Sequence, residues 1–213
     1  MKLSATHFAS QWFKELLRYI YPAQCLHCEV EVEKLHHPLC KACLSQIEWI
    51  DPAQSCIKCG VPLDREGVCG RCRTHPVGLQ PHISLFSPLG PILNLHRDFL
   101  RNSRADLLAS FVVVGLNRLS WPDFDCVVPL LLPRSEGFFL KKQPSFLIAK
   151  SVAKLFKCPC YFPGEKVEEK RVLIVSDRLE NEELLCRRKE ELKMLGAQCV
   201  YSLALIDQRV TTF

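Results

Sequence analysis

Four Cys-x-x-Cys knuckles stand between residues 25 and 72: Cys25/Cys28, Cys40/Cys43, Cys56/Cys59 and Cys69/Cys72. Eleven, twelve and nine residues separate successive knuckles. Each knuckle places two thiolates on one tight turn, half of a tetrahedral zinc shell. Two knuckles close a four-cysteine site. A segment this short buries too little apolar surface to fold on a core of its own, and metal binding supplies the missing free energy. Disulfides are the alternative. Four matched pairs and the lack of an export signal favour zinc. The spacing therefore predicts two structural zinc ions held by these eight cysteines. Consecutive pairing gives two ribbons in series, Cys25/Cys28/Cys40/Cys43 and Cys56/Cys59/Cys69/Cys72; interleaved pairing stays open. A redox role for one knuckle is also open, though nothing requires it. His27, His36, His37 and His75 flank the knuckles and read as surface residues, since eight thiols suffice. Gly60 and Gly70 stand where tight turns favour glycine.

The chain has 213 residues, 48% of them apolar, enough for one packed domain beside the small Cys-rich one. Residues 1–24 form an amphipathic N-terminal helix in this reading, with Phe8, Trp12, Phe13, Leu16, Leu17 and Ile20 at helical spacing. Lys14, Glu15 and Arg18 interrupt the apolar run, so it neither spans a bilayer nor resembles a signal peptide. A helix packed on the rest of a cytoplasmic protein is expected, with peripheral membrane contact as the alternative. Residues 25–75 are the double zinc-ribbon module. Thr74 to Pro81 is the linker, and residues 81–213 form an α/β domain.

Within that domain, His82 to Phe86 reads as a strand. Helices follow over 92–101 and 104–119, the second with Ala105, Leu108, Phe111, Val112 and Leu116 on one face. Residues 125–131 give a second strand, with Pro129 at its end. A helix over 144–156 starts on Pro144 and turns Phe146, Leu147, Ala149, Ala153 and Phe156 inward. Residues 160–162 add a short strand. Val172 to Val175 is a buried strand, Ser176-Asp177-Arg178 a polar turn, and 181–195 a helix. That helix faces the core with Leu184, Leu185, Leu192 and Leu195, while Arg187, Arg188, Glu190 and Glu191 point elsewhere. Gly196 caps it in the left-handed region, and 200–206 is the next strand. Strand, helix, strand with tight connections is a right-handed βαβ unit of a parallel sheet. Ligands of such sheets bind beyond the carboxyl ends of the strands, here at residues 176–183. Cys126, Cys158, Cys160, Cys186 and Cys199 lack knuckle spacing and read as small buried apolar residues.

The stretch from Arg171 to Ile206 resembles the phosphoribosyl pyrophosphate (PRPP) loop of type I phosphoribosyltransferases. That loop follows a hydrophobic strand with two acidic residues and a Thr-Thr-Gly-x-Thr turn. Ser176 and Asp177 stand at the acidic positions, Glu180-Asn181-Glu182 replaces Thr-Thr-Gly, and Leu184 falls at the last threonine. The resemblance places a degenerate PRPP loop at Ser176, Asp177 and Asn181, with carboxylates where a phosphate would sit. The chain as a whole resembles the ComF family of competence-associated proteins. Tyr21-Pro22-Ala23-Gln24-Cys25-Leu26-His27-Cys28 is similar to that family's aromatic-Pro-x-x-Cys-x-x-Cys entry. Cys56-Ile57-Lys58-Cys59-Gly60-Val61-Pro62 is similar to its Cys-x-x-Cys-Gly-x-Pro, and Val127-Val128-Pro129-Leu130 to its Val-Pro-Val-Pro-Leu strand. Gln143 aligns with the glutamine of its Arg-Gly-Phe-Asn-Gln motif, and Leu195-Gly196-Ala197 with its Lys-x-Ala-Gly-Ala helix end. The family's Arg- and Asn-containing segment between the Gln-motif helix and the PRPP strand reads as deleted here, since only Lys157 to Lys170 occupies that interval. The resemblance implies a phosphoribosyltransferase-like parallel sheet with flanking helices, behind a double zinc ribbon.

The altered loop and the deleted segment argue against transferase catalysis, against PRPP and magnesium as ligands, and against a small-molecule substrate. What the ComF resemblance implies instead is DNA uptake and transformation, through single-stranded DNA or DNA-uptake proteins. The alternative is a transferase that uses PRPP with an altered loop. Residues 81–160 carry ten basic and five acidic side chains, the most positive stretch of a chain with formal charge +5. The candidate nucleic-acid contacts are therefore Arg97, Arg101, Arg104, Lys141, Lys142, Lys150 and Lys154.

Overall fold

The computed structural model describes residues 22–32, 37–65, 67–74, 81–103, 105–118, 121–131, 141–162, 164–180 and 182–211. The N-terminal amphipathic helix, most of the linker, Arg104 and Asn181 lie outside the described residues. Two short helices, α1 (Lys41–Ser45) and α2 (Gly70–Thr74), belong to the Cys-rich module. The α/β part runs β1 (His82–Phe86), α3 (Pro91–Asn102), α4 (Ala105–Arg118), β2 (Cys126–Pro129), α5 (Pro144–Phe156), β3 (Arg171–Leu179), α6 (Glu182–Met194) and β4 (Cys199–Asp207). The strands form one four-stranded parallel sheet in the order β1-β4-β3-β2.

Alternate residues of each strand face opposite sides. Leu173, Val175, Leu203 and Leu205 pack with Leu95 and Phe99 of α3, Leu108 and Val112 of α4, and Ile148 and Val152 of α5. On the other face Val172, Ile174, Val200 and Ala204 pack with Leu185 and Leu192 of α6. The two halves of the Cys-rich module divide between these cores. Cys25, Val32, Leu39 and Cys43 join the first, whereas Cys56, Cys59 and Cys72 join the second. The module thus straddles the sheet at β1. Its connecting segment covers that strand's outer edge: Ile50 N–H donates to the Leu85 carbonyl at 2.8 Å, and Trp49 pairs antiparallel with Phe86. At the opposite edge Cys160 bridges Val127. An uncovered edge would present unpaired backbone groups to other chains.

Several expected elements are corrected. Residues 176–178 are not a turn. Parallel pairing with β4 continues through Ser176↔Ala204 and Arg178↔Ile206, so β3 runs on to Leu179. Arg188 does not point away: it is buried, like Glu182 and Lys189 on the same helix, and Lys189 donates to the Pro81 carbonyl at 2.9 Å. α5 buries Ile148 and Val152 rather than Leu147 and Phe156, and Phe156 is partly exposed. Residues 160–162 supply one bridge rather than a strand. Cys199 is exposed, and of the five isolated cysteines Cys126 alone is buried. Gly70 opens α2 with free space where a Cβ would sit, so no glycine is required there. Gly196 does adopt φ +88, with the Glu168 Cα only 3.2 Å from where a Cβ would be.

Phe86 links the two parts of the molecule. It is fully buried, its ring 4.5 Å from that of Trp49 and 5.3 Å from that of Phe111 on α4. Phe86→Ala should destabilise the protein by about 3–5 kcal/mol. Urea unfolding gives that figure, and a red shift of tryptophan emission would report the loosening of Trp49. A loss below about 1 kcal/mol would show that the two parts do not depend on this contact.

Candidate functional site

Each half of the Cys-rich module is built the same way. The first knuckle is a small hairpin turn: Cys25 N–H donates to Val30 O at 2.9 Å and Glu29 N–H to Cys25 O at 2.9 Å. In the second half Cys56 N–H donates to Val61 O at 2.8 Å and Gly60 N–H to Cys56 O at 2.7 Å. The residue after each such knuckle is left-handed, Glu29 at φ 62 and Gly60 at φ 71. The other knuckle starts a helix. Cys40 and Cys69 each accept the N–H of the cysteine three residues on, Cys43 and Cys72, at 3.4 Å. The sequence shows this repeat only through the cysteines, because Glu29 occupies a position where glycine is expected.

The knuckles pair consecutively. The four sulphurs of Cys25, Cys28, Cys40 and Cys43 lie within 4.8 Å of one another, and so do those of Cys56, Cys59, Cys69 and Cys72. The Cys28 and Cys40 sulphurs are 3.7 Å apart, and those of Cys59 and Cys69 3.8 Å. A tetrahedral ion with metal–sulphur bonds of about 2.3 Å needs sulphurs about 3.8 Å apart. All eight cysteines are free thiols. Burial raises the Cys25 thiol, but N–H donors from Cys28, Cys40 and His27 outweigh it and bring it down to about 6. Cys56 reaches about 6 in the same way, against burial, through the N–H groups of Cys69, Lys58 and Cys59. Burial pushes their tetrad partners Cys43 and Cys59 up, so within each set one thiol ionises readily and metal binding must displace the protons of the others. The two sets fit two structural zinc ions. His27 and His37 are exposed and outside both sets; His36 and His75 lie outside the described residues.

A second feature lies at the carboxyl ends of β2 and β3, where the sequence places the ligand site. Leu130, Gln143, Ser145, Asp177, Glu180 and Leu184 line a crevice of about 180 Å³ there. Asp177 is engaged. His96 Nε2 lies 3.0 Å from one of its oxygens, and Ser145 Oγ donates to the other at 2.7 Å. Burial opposes ionisation, yet the hydrogen bonds from His96 and Ser145 hold the carboxyl below the usual range. Ser176 is buried and donates to the Arg178 carbonyl. His96 was not foreseen as a partner, since 81 residues separate it from Asp177.

The helix N-terminus beside this crevice is occupied too. Glu182, at the start of α6, pairs with Arg209 Nη1 at 2.9 Å and Arg71 Nη1 at 2.9 Å. Among the basic candidates, Arg97, Arg101, Lys141, Lys142, Lys150 and Lys154 are all exposed. They are not gathered at one place. Lys142 precedes α5 beside the crevice, whereas Lys154 lies ten residues beyond Pro144, roughly 15 Å along the helix axis.

The molecule is therefore an α/β protein with a four-stranded parallel sheet and an N-terminal pair of four-cysteine zinc ribbons. Residues 16–73 match the double zinc ribbon domain family. No match to the chain was found among curated proteins. No helix among the described residues is long and apolar enough to cross a membrane.

Two predictions concern the ribbons. Protein purified under reducing conditions should carry two zinc ions per chain by elemental analysis, and chelation should unfold residues 22–74. Fewer than one zinc per chain, or disulfides within the knuckles, would refute this. Glu29 should be a strained residue, because a side chain in the left-handed region costs roughly 1–2 kcal/mol. Glu29→Gly should raise stability by about 1 kcal/mol in denaturant titrations, and a destabilised variant would mean that the glutamate side chain is needed.

Proposed function

We propose that this is a ComF-like protein of DNA uptake and transformation that works by contact rather than catalysis. Its partners in this reading are single-stranded DNA or DNA-uptake proteins, and its zinc ions serve structure alone. Glu182 carries the non-catalytic part. A type I phosphoribosyltransferase would seat the 5′-phosphate of PRPP at the N-terminus of α6, on free N–H groups and hydroxyls. Here a buried carboxylate occupies that turn, fixed by Arg209 and Arg71. A carboxylate about 4 Å from a phosphate charge costs roughly 1–4 kcal/mol. Asp177, the residue aligned with ribose binding, is already held by His96 and Ser145. The crevice of about 180 Å³ is smaller than the roughly 300–1,000 Å³ of ordinary ligand pockets. The DNA part rests on the family resemblance and on the positive charge of residues 81–160.

The transferase reading has one observation on its side. A crevice lies beyond the carboxyl ends of β2 and β3, with Gln143 and Asp177, two residues that the resemblance aligns with family motifs, on its wall. Titration with PRPP and magnesium separates the two. No binding is expected at millimolar ligand, and no pyrophosphate release with any nucleobase. Saturable, magnesium-dependent binding would promote the transferase. Restoring the loop with Glu180→Thr, Asn181→Thr and Glu182→Gly would also strip Arg209 of a buried partner, so that variant should lose stability before it gains a phosphate site. Single-stranded DNA binding should weaken steeply with salt. Lys141→Ala with Lys142→Ala should lower the slope by about one to two contacts. An unchanged slope would remove these two lysines from the interface.

A further inference from the structure

The two metal centres are attached to the α/β domain by different chemistry. At the first, Asn94 of α3 donates to the Leu26 carbonyl, inside the Cys25/Cys28 knuckle, at 2.7 Å. That contact is a neutral amide at the surface, and Cys28 of the same knuckle is exposed. At the second, Arg209, which follows β4, donates through Nη1 to the carbonyl of the ligand Cys59 at 2.9 Å. The same guanidinium pairs with Glu182 and with Asp207, a residue of β4 with no exposed surface. The Arg209 and Glu182 side chains are each only 6% exposed. Arg71, between the ligands Cys69 and Cys72, meets Glu182 from the ribbon side at 2.9 Å.

We propose that Arg209 is a positioning residue of the second metal centre, and that the two zinc ions consequently exchange at different rates. Four thiolates around a divalent ion leave a formal charge of −2. Arg209 brings a fixed positive charge to that cluster and holds the backbone of one ligand. Its other partners anchor it in the sheet and in α6. To release this zinc, the Cys56/Cys59 knuckle must leave Arg209, whose Nη1 then loses an acceptor in a dry site, and Glu182 loses its pair with Arg71 as the Cys69/Cys72 knuckle loosens. Release of the first zinc breaks the Asn94 amide contact and the apolar packing of Cys25 and Cys43, neither of which leaves a buried charge behind. Groups outside the ligand shell that orient ligands typically change metal affinity by roughly 10–100-fold.

The test challenges the full chain, loaded with two zinc ions, with excess chelator. Freed thiols are alkylated at intervals and located by mass spectrometry. Two phases are expected, at least about tenfold apart. Cys25, Cys28, Cys40 and Cys43 should label in the fast phase, and Cys56, Cys59, Cys69 and Cys72 in the slow one. Arg209→Met should speed the slow phase about 10–100-fold and leave the fast phase unchanged; Arg209→Lys, which keeps the charge, should fall between. One common rate would overturn the proposal, and so would an Arg209→Met change that speeds both phases equally or neither. If Arg209→Met does not fold, Glu182→Gln makes the same test with the shape kept. A slow phase at least about threefold faster supports the proposal, and an unchanged one overturns it.

Discussion

Metal closure of two thiolate tetrads is the constraint on which the rest of this molecule depends. Each ribbon consists of two turns and a few hydrogen bonds, with little apolar surface of its own. Apparent binding energies of structural zinc are about 10–16 kcal/mol near neutral pH, comparable with the whole net stability of a typical domain, about 5–15 kcal/mol. Without that term the segment that covers β1 would have no reason to keep its shape. The ribbon's own side chains then complete the domain: Cys25 and Cys43 enter one core of the sheet, Cys56, Cys59 and Cys72 the other.

The α/β part returns the support through charge. Glu182 and Asp207 each pair with Arg209, and the three form a dry cluster centred on that guanidinium. Removing one partner of such a cluster is far more damaging than the pairing is stabilising, since an unpaired buried charge is left behind. The same cluster fills the first turn of α6, whose free N–H groups would otherwise favour an anion such as a phosphate. Structural anchoring of the second ribbon and vacancy of that turn are therefore in direct competition. Polar groups of the crevice, Asp177 above all, likewise join β3 to α3 and α5.

The sequence made some of this legible. The knuckles are local, so eight zinc ligands and two sites are readable from spacing, whereas which knuckles pair is settled only in three dimensions. The β3–α6–β4 unit was readable from apolar runs and from Gly196. The buried charges were not. Arg188, Lys189 and Glu182 lie on a helix whose charges look solvated in sequence; Arg188 pairs with Glu191 one turn on, but the partners of Lys189 and Glu182 are remote. Glu182 meets Arg209 across 27 residues, and Cys59 meets it across 150. The end of β3 was missed for a related reason. Ser176, Asp177 and Arg178 have turn-like composition, but parallel pairing to β4 and the hydrogen bonds of Asp177 hold them extended. No local pattern shows a strand edge covered from another module, so the role of Trp49 and Ile50 emerged only in three dimensions.

The strand order also fixes a timetable for synthesis. The ribbon segment is made first, and β1 follows almost at once, ready to dock on Ile50. Its inner neighbour is β4, the last strand of the four to be made. About 110 residues separate Phe86 from Cys199, which at ribosomal speeds of about 5–20 residues per second is roughly 6 to 20 seconds. Through that interval β1 is held on its outer side alone, by a metal-bound module, with its inner side bare. The sheet is then completed by inserting a strand between two already formed halves, and Arg209 arrives with that strand. The finished ribbon acts as a placeholder for β1, keeping one side of a gap until the strand that fills it emerges.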